Sequence, residues 1–223
     1  MRLLRVLAVA TGFAALLSQS SSAQDARQFK DAWFWGVKGG GLLYSSASTT
    51  GGSAPLVGAE WLITRKNGGL YVSFDQAFLT TTGGFTDRDP DSIFVRNVTL
   101  KNLRRFTMAG MVFPGQTRNL HPYAGAGLAF NQIGGAALLS GASNSARYLI
   151  AQDSIQAKKT AFSPIFLAGI QARFKPMSLF VQGTASPIQS AFFLSNNNSS
   201  RSFNLSLELG ARYNVGSSID RAQ

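Results

Sequence analysis

Few residues of this chain could carry out acid–base, nucleophilic or metal chemistry. The 223 residues include no cysteine and a single histidine, His121. A thiolate metal site, a cysteine nucleophile and a multi-histidine metal site are therefore excluded, because each needs residues that the chain lacks. His121 is the only possible histidine base, but it precedes Pro122 and Tyr123 beside a short predicted turn. We expect a turn or rim residue there. The sequence predicts no catalytic residue, no cofactor, no metal site and no enzyme.

Ionisable residues on alternating segments form the other candidate group. In such segments every second side chain lies on one face, and the ionisable residues fall on the polar face. If that face lines a water-poor lumen, opposite charges should pair there, since an isolated buried charge is costly. We expect a salt-bridged network that plugs the lumen, and the alternative is a gate or a proton path. The predicted lumen network consists of Lys38, Glu60, Asp75, Arg173, Glu208 and Arg212.

Long alternating strands are the elements that would position these residues. The segment 202–216 alternates without interruption, although soluble strands usually run about five or six residues. This length favours a strand that crosses a hydrocarbon layer with a polar interior behind it. The outward residues are predicted to be Phe203, Leu205, Leu207, Leu209, Ala211, Tyr213 and Val215, and the inward residues Asn204, Ser206, Glu208, Gly210, Arg212 and Asn214.

Turn-forming residues divide the chain into eight such segments. Their connections alternate between long polar links and short turns, which is typical of a bacterial outer-membrane barrel with turns in the periplasm and loops outside. The sequence therefore predicts an all-β fold, a closed antiparallel up-and-down transmembrane β-barrel of about eight strands. Ten strands stay open as an alternative because the region 134–159 is irregular. The predicted strands are 32–44, 54–65, 69–80, 93–113, 120–133, 160–174, 177–190 and 201–216.

Aromatic residues near the short turns are the predicted membrane anchors. Aromatic side chains concentrate at the two interfaces of a membrane, where they form girdles around a barrel. A soluble core would also use such residues, so they do not identify a membrane protein by themselves. The predicted girdle consists of Trp33, Trp35, Phe113, Tyr123, Phe174 and Tyr213.

The first 23 residues have the features of a secretory signal peptide. Arg2 and Arg5 form a positive region, an apolar run follows at 6–17, and small residues end at Ala23. The run is shorter than the roughly twenty apolar residues of a transmembrane helix. We expect cleavage near Ala23, a single barrel domain at 24–223, and export to the outer membrane of a Gram-negative cell.

The formal net charge of +11 points to anionic partners. Removal of the two signal-peptide arginines would leave 11 − 2 = +9. The cations are scattered, whereas nucleic-acid binding needs them gathered on one surface. The local clusters are Lys101 with Arg104 and Arg105, and Lys158 with Lys159. We expect an exposed basic rim that faces anionic lipid or lipopolysaccharide, and no nucleic-acid partner.

Several glycine-rich pieces give the chain a family resemblance. The segments 58–61, 122–130 and 209–213 resemble strands of the small outer-membrane β-barrels of the OmpA-like and OmpX-like group, in which Pro-Tyr-x-Gly-x-Gly-Leu is common. The resemblance implies a monomeric barrel inserted by the barrel-assembly machinery. Barrels of this group usually end on an aromatic residue, whereas this chain continues from Tyr213 to Gln223. Either Tyr213 is an internal signal for assembly, or the tail is a short periplasmic extension.

These observations favour a non-catalytic integral outer-membrane barrel with a structural or surface-interaction role. The alternatives are a lipid-modifying outer-membrane enzyme, a narrow channel, and a soluble lipocalin-like barrel that binds a small apolar ligand. Fold analogy does not decide among them, because one fold carries many functions.

Overall fold

The fold is described from a computed structural model. The described residues are 31–44, 52–65, 67–89, 92–114, 119–138, 152–153, 155–174, 176–188, 194 and 202–217. The predicted signal peptide and the tail after residue 217 lie outside these residues, so their cleavage and function stay predictions.

Eight strands form one closed barrel, as the sequence predicts. Each strand pairs antiparallel with its neighbours in the chain, and β8 pairs with β1 to close the sheet. Closure leaves no open sheet edge where all eight strands pair. The strands are β1 Ala32–Tyr44, β2 Gly52–Arg65, β3 Gly68–Asp89, β4 Ser92–Val112, β5 Leu120–Leu138, β6 Thr160–Phe174, β7 Met177–Ile188 and β8 Ser202–Ser217.

The β2–β3, β4–β5 and β6–β7 connections lie at one end of the barrel, which we call the turn end, and the other connections lie at the opposite loop end. The longest connections, 139–159 and 189–201, are at the loop end, whereas β3 and β4 are joined there by residues 90 and 91 alone. Backbone hydrogen bonds hold the turn end together: the amide of Phe113 donates to the Asn67 carbonyl at 2.8 Å, and that of Arg173 to the Asn119 carbonyl at 2.8 Å. A third bond joins the Asn214 amide to the Pro176 carbonyl at 3.0 Å. These bonds tie each turn to a neighbouring strand.

Three strands are longer than the others and project at the loop end. β3, β4 and β5 have 22, 21 and 19 residues, whereas β1 has 13 and β7 has 12. The pairing of β2 with β3 stops at Leu56 and Ala77, but β3 and β4 pair on to Asp89 and Ser92. The irregular region that suggested ten strands therefore begins as an extension of β5 to Leu138.

The side chains sort into an apolar outer wall and a lumen that is polar at its centre. Leu207 and Leu209 on β8 are 63% and 61% exposed, while Asn204, Glu208 and Arg212 on the same strand are buried. The same alternation runs along the other strands, because a pleated strand places successive side chains on opposite faces. No helix among the described residues is both long enough and apolar enough to cross a membrane.

Candidate functional site

Charged side chains meet near the middle of the lumen. Lys38 on β1 contacts Glu208 Oε2 at 2.7 Å and Asp75 Oδ1 at 2.9 Å. These contacts join β1 to β8 on one side and, across β2, to β3 on the other. All three side chains are almost fully buried. Lys38 is therefore a bridge between two carboxylates inside the barrel.

Arg105 on β4 completes this group from the opposite wall. Its Nε donates to Asp75 Oδ2 at 3.0 Å, and its Nη2 donates to Glu208 Oε1 at 2.8 Å. β4 and β8 lie four strands apart in a ring of eight, so the Arg105 side chain crosses the lumen. An eight-stranded barrel is narrow enough for side chains from facing walls to meet in this way.

A second ion pair lies beside the first group, toward the turn end. Arg212 on β8 donates from Nε to Glu60 on β2, and from Nη1 to Gln171 Oε1 at 2.6 Å. The guanidinium carbon lies 4.0 Å from the centroid of the Phe180 ring, in a cation–π arrangement. Tyr71 joins the two groups, because its hydroxyl donates to Glu60 Oε2 at 3.1 Å and accepts from Lys38 Nζ at 2.9 Å.

Glycines make room for these contacts. Gly36 on β1 is paired with Glu60 on one side and Arg212 on the other. A Cβ on Gly36 would lie 2.9 Å from Glu60 Oε1 and 3.0 Å from Arg212 Cγ. Gly58 stands in the same way between Lys38 and Asp75, and a Cβ there would lie 3.0 Å from Lys38 Cε. The Glu60–Arg212 pair therefore spans Gly36 and the Lys38–Asp75 pair spans Gly58, and a larger residue at either glycine would occupy the space that the paired side chains need.

The network is balanced in charge. Its carboxylates are Glu60, Asp75 and Glu208, and its cations are Lys38, Arg105 and Arg212. Removing one member would leave an uncompensated charge in a buried site, which typically costs about 3 to 5 kcal/mol. The network is therefore suited to linking strands on different sides of the barrel, and each buried charge is stabilised by its oppositely charged partners.

Two apolar clusters fill the lumen on either side of the network. The loop-end apolar cluster includes Ile155 and Leu194, which belong to the connections and are buried against the barrel. The turn-end apolar cluster contains inward aromatic rings. Along the axis, the described side chains form an apolar layer, a charged layer and a second apolar layer. The loop-end apolar cluster comprises Leu42, Tyr44, Ala54, Leu56, Ala77, Leu79, Val98, Leu100, Leu103, Ile133, Ile155 and Leu194, and the turn-end apolar cluster Ala32, Phe34, Leu62, Tyr71, Ala109, Met111, Phe113, Tyr123 and Leu167.

The structure brings together five of the six residues predicted for the lumen network. Arg173 is the exception: it is half-buried near the turn end, and Gln171, two residues further in, contacts Arg212 instead. Arg105 was missed because it was grouped with the exposed cations Lys101 and Arg104. The signal was present in the alternation of β4, where Arg105 shares its face with buried Thr107, whereas Arg104 shares its face with exposed Phe106.

Four of the six residues predicted for the aromatic girdle lie on the outer wall, and two lie inside the barrel. Trp33, Trp35, Phe174 and Tyr213 are exposed on the outer wall, and Trp61 stacks on Trp35 with ring centroids 5.6 Å apart.

Phe113 and Tyr123 are only 1% and 3% exposed and belong to the turn-end apolar cluster. Each follows the inward face of its strand, and the Tyr123 hydroxyl donates to Gln182 Oε1 at 3.1 Å. Proximity to a turn correctly predicted that both residues lie near the turn end. The alternation along the strand, which we call strand parity, decides whether a ring faces outward or into the lumen.

His121 lies at the turn end, as expected, but inside the barrel. Its side chain is buried, and its register partner on β6 is Gln171. It shares the inward face of β5 with Tyr123 and Asn131. The expectation of a turn or rim residue did not specify a face, and the strand that begins at Leu120 places the His121 side chain on the lumen side.

Comparison with known proteins identifies the fold. No protein-family model matches the chain, and no curated protein matches it. Among solved structures, Neisserial surface protein A is 13% identical with a TM-score of 0.53, covering 81% of this chain and 96% of that chain.

Ail, the attachment invasion locus protein of Yersinia pestis, is 9% identical with a TM-score of 0.48 and coverage of 83% and 99%. The N-terminal β-barrel domain of Pseudomonas aeruginosa OprF is 12% identical with a TM-score of 0.42 and coverage of 83% and 100%. The match to Neisserial surface protein A confirms the predicted resemblance at the level of the fold, that of a small outer-membrane barrel.

Proposed function

We propose that this protein is an integral outer-membrane barrel with a closed lumen and a structural or surface-interaction role. The observation that carries the proposal is the inverted distribution of side chains. Large apolar residues such as Leu207, Phe162 and Trp35 are exposed on the outer wall, while charged residues such as Arg212 and Glu60 are buried. Exposed apolar surface of this extent needs a hydrocarbon environment.

The orientation follows from the two ends of the barrel. Short turns of outer-membrane barrels lie in the periplasm and longer loops lie outside, so the turn end would face the periplasm. The extensions of β3, β4 and β5 would then project from the cell, where they offer a surface to environmental or host molecules. The surrounding partners would be lipid and lipopolysaccharide, with the barrel-assembly machinery acting during insertion of a monomer.

The layered lumen supports a barrel that does not conduct. Two apolar clusters and a charge-balanced network occupy the interior along its axis. A steady ion current would require each layer to open. A selectivity filter would instead present charges to a water-filled path, whereas these charges are directed at one another.

A non-catalytic role is part of the proposal. His121 is buried inside the turn end, away from the outer leaflet in which a lipid-modifying enzyme would meet its substrate. Its neighbours in the chain, Leu120 and Pro122, are exposed on the outer wall at this height, whereas His121 is on the lumen side.

Two measurements test the proposed function. Membrane fractionation with a heat-modifiability gel should recover the protein with outer membranes and show a folded band in unheated detergent. Planar bilayers containing the folded protein should show little steady conductance. Recovery as a soluble periplasmic monomer would support the lipocalin-like alternative, and a stable open channel that responds to Glu60 or Asp75 substitution would change the function to transport.

A further inference from the structure

Four phenylalanines form a continuous row on the outer wall of β3, β4, β5 and β6. Phe74 pairs with Phe106, Phe106 with Phe130, and Phe130 with Phe162. Phe74, Phe106 and Phe162 are 51%, 43% and 73% exposed. The ring centroids of Phe130 and Phe162 lie 5.0 Å apart. The row gives this wall a continuous aromatic band that can pack against acyl chains.

A row of polar residues lies directly above this band, two residues further toward the loop end. It pairs Gln76 with Arg104, Arg104 with Gln132, and Gln132 with Thr160. Arg104 is exposed, and its Nε donates to Gln76 Oε1 at 3.2 Å. Its two Nη groups donate to no residue in the described part of the chain. The wall therefore holds an exposed guanidinium that is fixed at Nε and has terminal donors available.

The charge around Arg104 is positive. β4, β5 and β6 contain no Asp or Glu. On β3, Asp75 is buried on the lumen side, and Asp87 and Asp89 lie at the far loop-end tip. Lys101 is exposed on β4 nearer the loop end. Lys159 borders the same region, because its carbonyl accepts from the Ile133 amide at 2.9 Å. Among the described strand side chains, Arg65 at the turn end is the only other exposed cation.

This placement needs an explanation, because a cation on the lipid face is costly and marks a functional site by default. On β8 the outer wall stays apolar as far as Phe203. Among the described strand side chains, the exposed cations above the turn end are Arg104 and Lys101, both on β4. Their position on one side of the barrel indicates a local site and not a uniform interfacial band.

We propose that this wall binds a phosphorylated lipid of the outer leaflet, with Arg104 and Lys101 on the phosphate and the phenylalanine row along the acyl chains. The inference rests on the proposed membrane location. An arginine fork matches a phosphate through two parallel hydrogen bonds, and Gln132, the register partner of Arg104 on β5, can supply a further amide donor. A phosphate lies where headgroups meet acyl chains, which is the boundary between the two rows.

Lipid retention in nanodiscs tests the site. Folded protein is placed in phosphatidylcholine nanodiscs with graded amounts of lipid A or of lipid A stripped of its phosphates, and bound lipid is counted by native mass spectrometry. We expect Arg104→Gln to weaken retention of phosphorylated lipid A roughly 10-fold. Arg65→Gln, the matched control at the other end, should leave retention unchanged. Removal of the phosphates should weaken binding to the unmodified protein as much as Arg104→Gln does.

Two retention results would each overturn the inference: equal retention by the unmodified protein and Arg104→Gln, or equal retention of phosphorylated and dephosphorylated lipid. A dimer formed through this wall would also overturn it, since a second copy would then be the occupant. The comparison of the two lipids uses the unmodified protein, so it still tests the inference if a variant folds poorly. Absence of a heat-modifiable folded band for the unmodified protein would refute the proposed membrane location instead.

Discussion

Replacement of Lys38 by Met is expected to destabilise the barrel strongly. Lys38 contacts Glu208 at 2.7 Å and Asp75 at 2.9 Å inside the lumen. Without it, three buried carboxylates share two cations, and Arg105 alone remains for both Asp75 and Glu208. Stranding one charge of a buried pair typically costs about 3 to 5 kcal/mol, so Lys38→Met should lower the free energy of unfolding by about that amount.

A second substitution should recover part of this loss. Glu208→Gln in the Lys38→Met background leaves two complete pairs, Asp75 with Arg105 and Glu60 with Arg212. Residues in one ionic network usually couple by about 0.5 to 3 kcal/mol, and the double variant should be more stable than Lys38→Met by an amount in that range. Reversible urea unfolding in lipid vesicles, followed by tryptophan fluorescence and heat modifiability, measures each free energy.

The matched control separates contact from overall charge. Lys38→Met with Glu60→Gln restores the same formal balance, but it strands Arg212, whose carboxylate partner is Glu60. This pair should give no recovery. Three results would refute the reasoning: a loss below about 1 kcal/mol for Lys38→Met, strict additivity with Glu208→Gln, or equal rescue by Glu60→Gln.

The remaining predictions concern the wall, the glycines and His121. Leu207→Arg places a charge on the 63%-exposed outer face and should cost about 2 to 4 kcal/mol in vesicle refolding, while Leu207→Met should be neutral; equal effects would contradict the assigned face. Gly36→Val should overpack the lumen and cost about 1 to 3 kcal/mol, because a Cβ there meets Glu60 Oε1 at 2.9 Å. Gly41→Val should be tolerated in the same unfolding assay, since a Cβ at that position has no atom within 4 Å; similar losses for both would argue against the packing. His121→Ala should not change lipid acyl-ester hydrolysis measured against empty vesicles, and loss of a measured hydrolysis would establish the enzyme alternative.

The alternating strands were predictable because their cause is local. A strand repeats every two residues, so the pattern of β8 alone predicts that Leu207 faces outward and Glu208 faces the lumen, as the structure has them. Connection lengths are equally local, and they predicted eight antiparallel neighbours. The predicted strand ends were less accurate for β3 and β5, which continue to Asp89 and Leu138. Nothing in the local pattern marks how far a strand extends past the closed barrel.

Errors arose where strand parity was not applied. Phe113 and Tyr123 were placed by their height along the barrel, and Arg105 by its neighbours in the sequence. Extending the alternation of β4 and β5 assigns all three to the lumen, where they are buried. These errors were therefore avoidable from the sequence.

The sequence by itself determined the strands, their order and which side chains are available to the lumen. Only the tertiary structure decided which of those charges meet, because contact across a lumen depends on the stagger of all eight strands when the sheet closes. Arg105 reaches Glu208 from four strands away, and Glu60 reaches Arg212 over Gly36. Arg173 has the charge for the network, but the register places Gln171 beside Arg212 and leaves Arg173 near the turn end. A period of two is a property of one strand, whereas these contacts are a property of the closed ring.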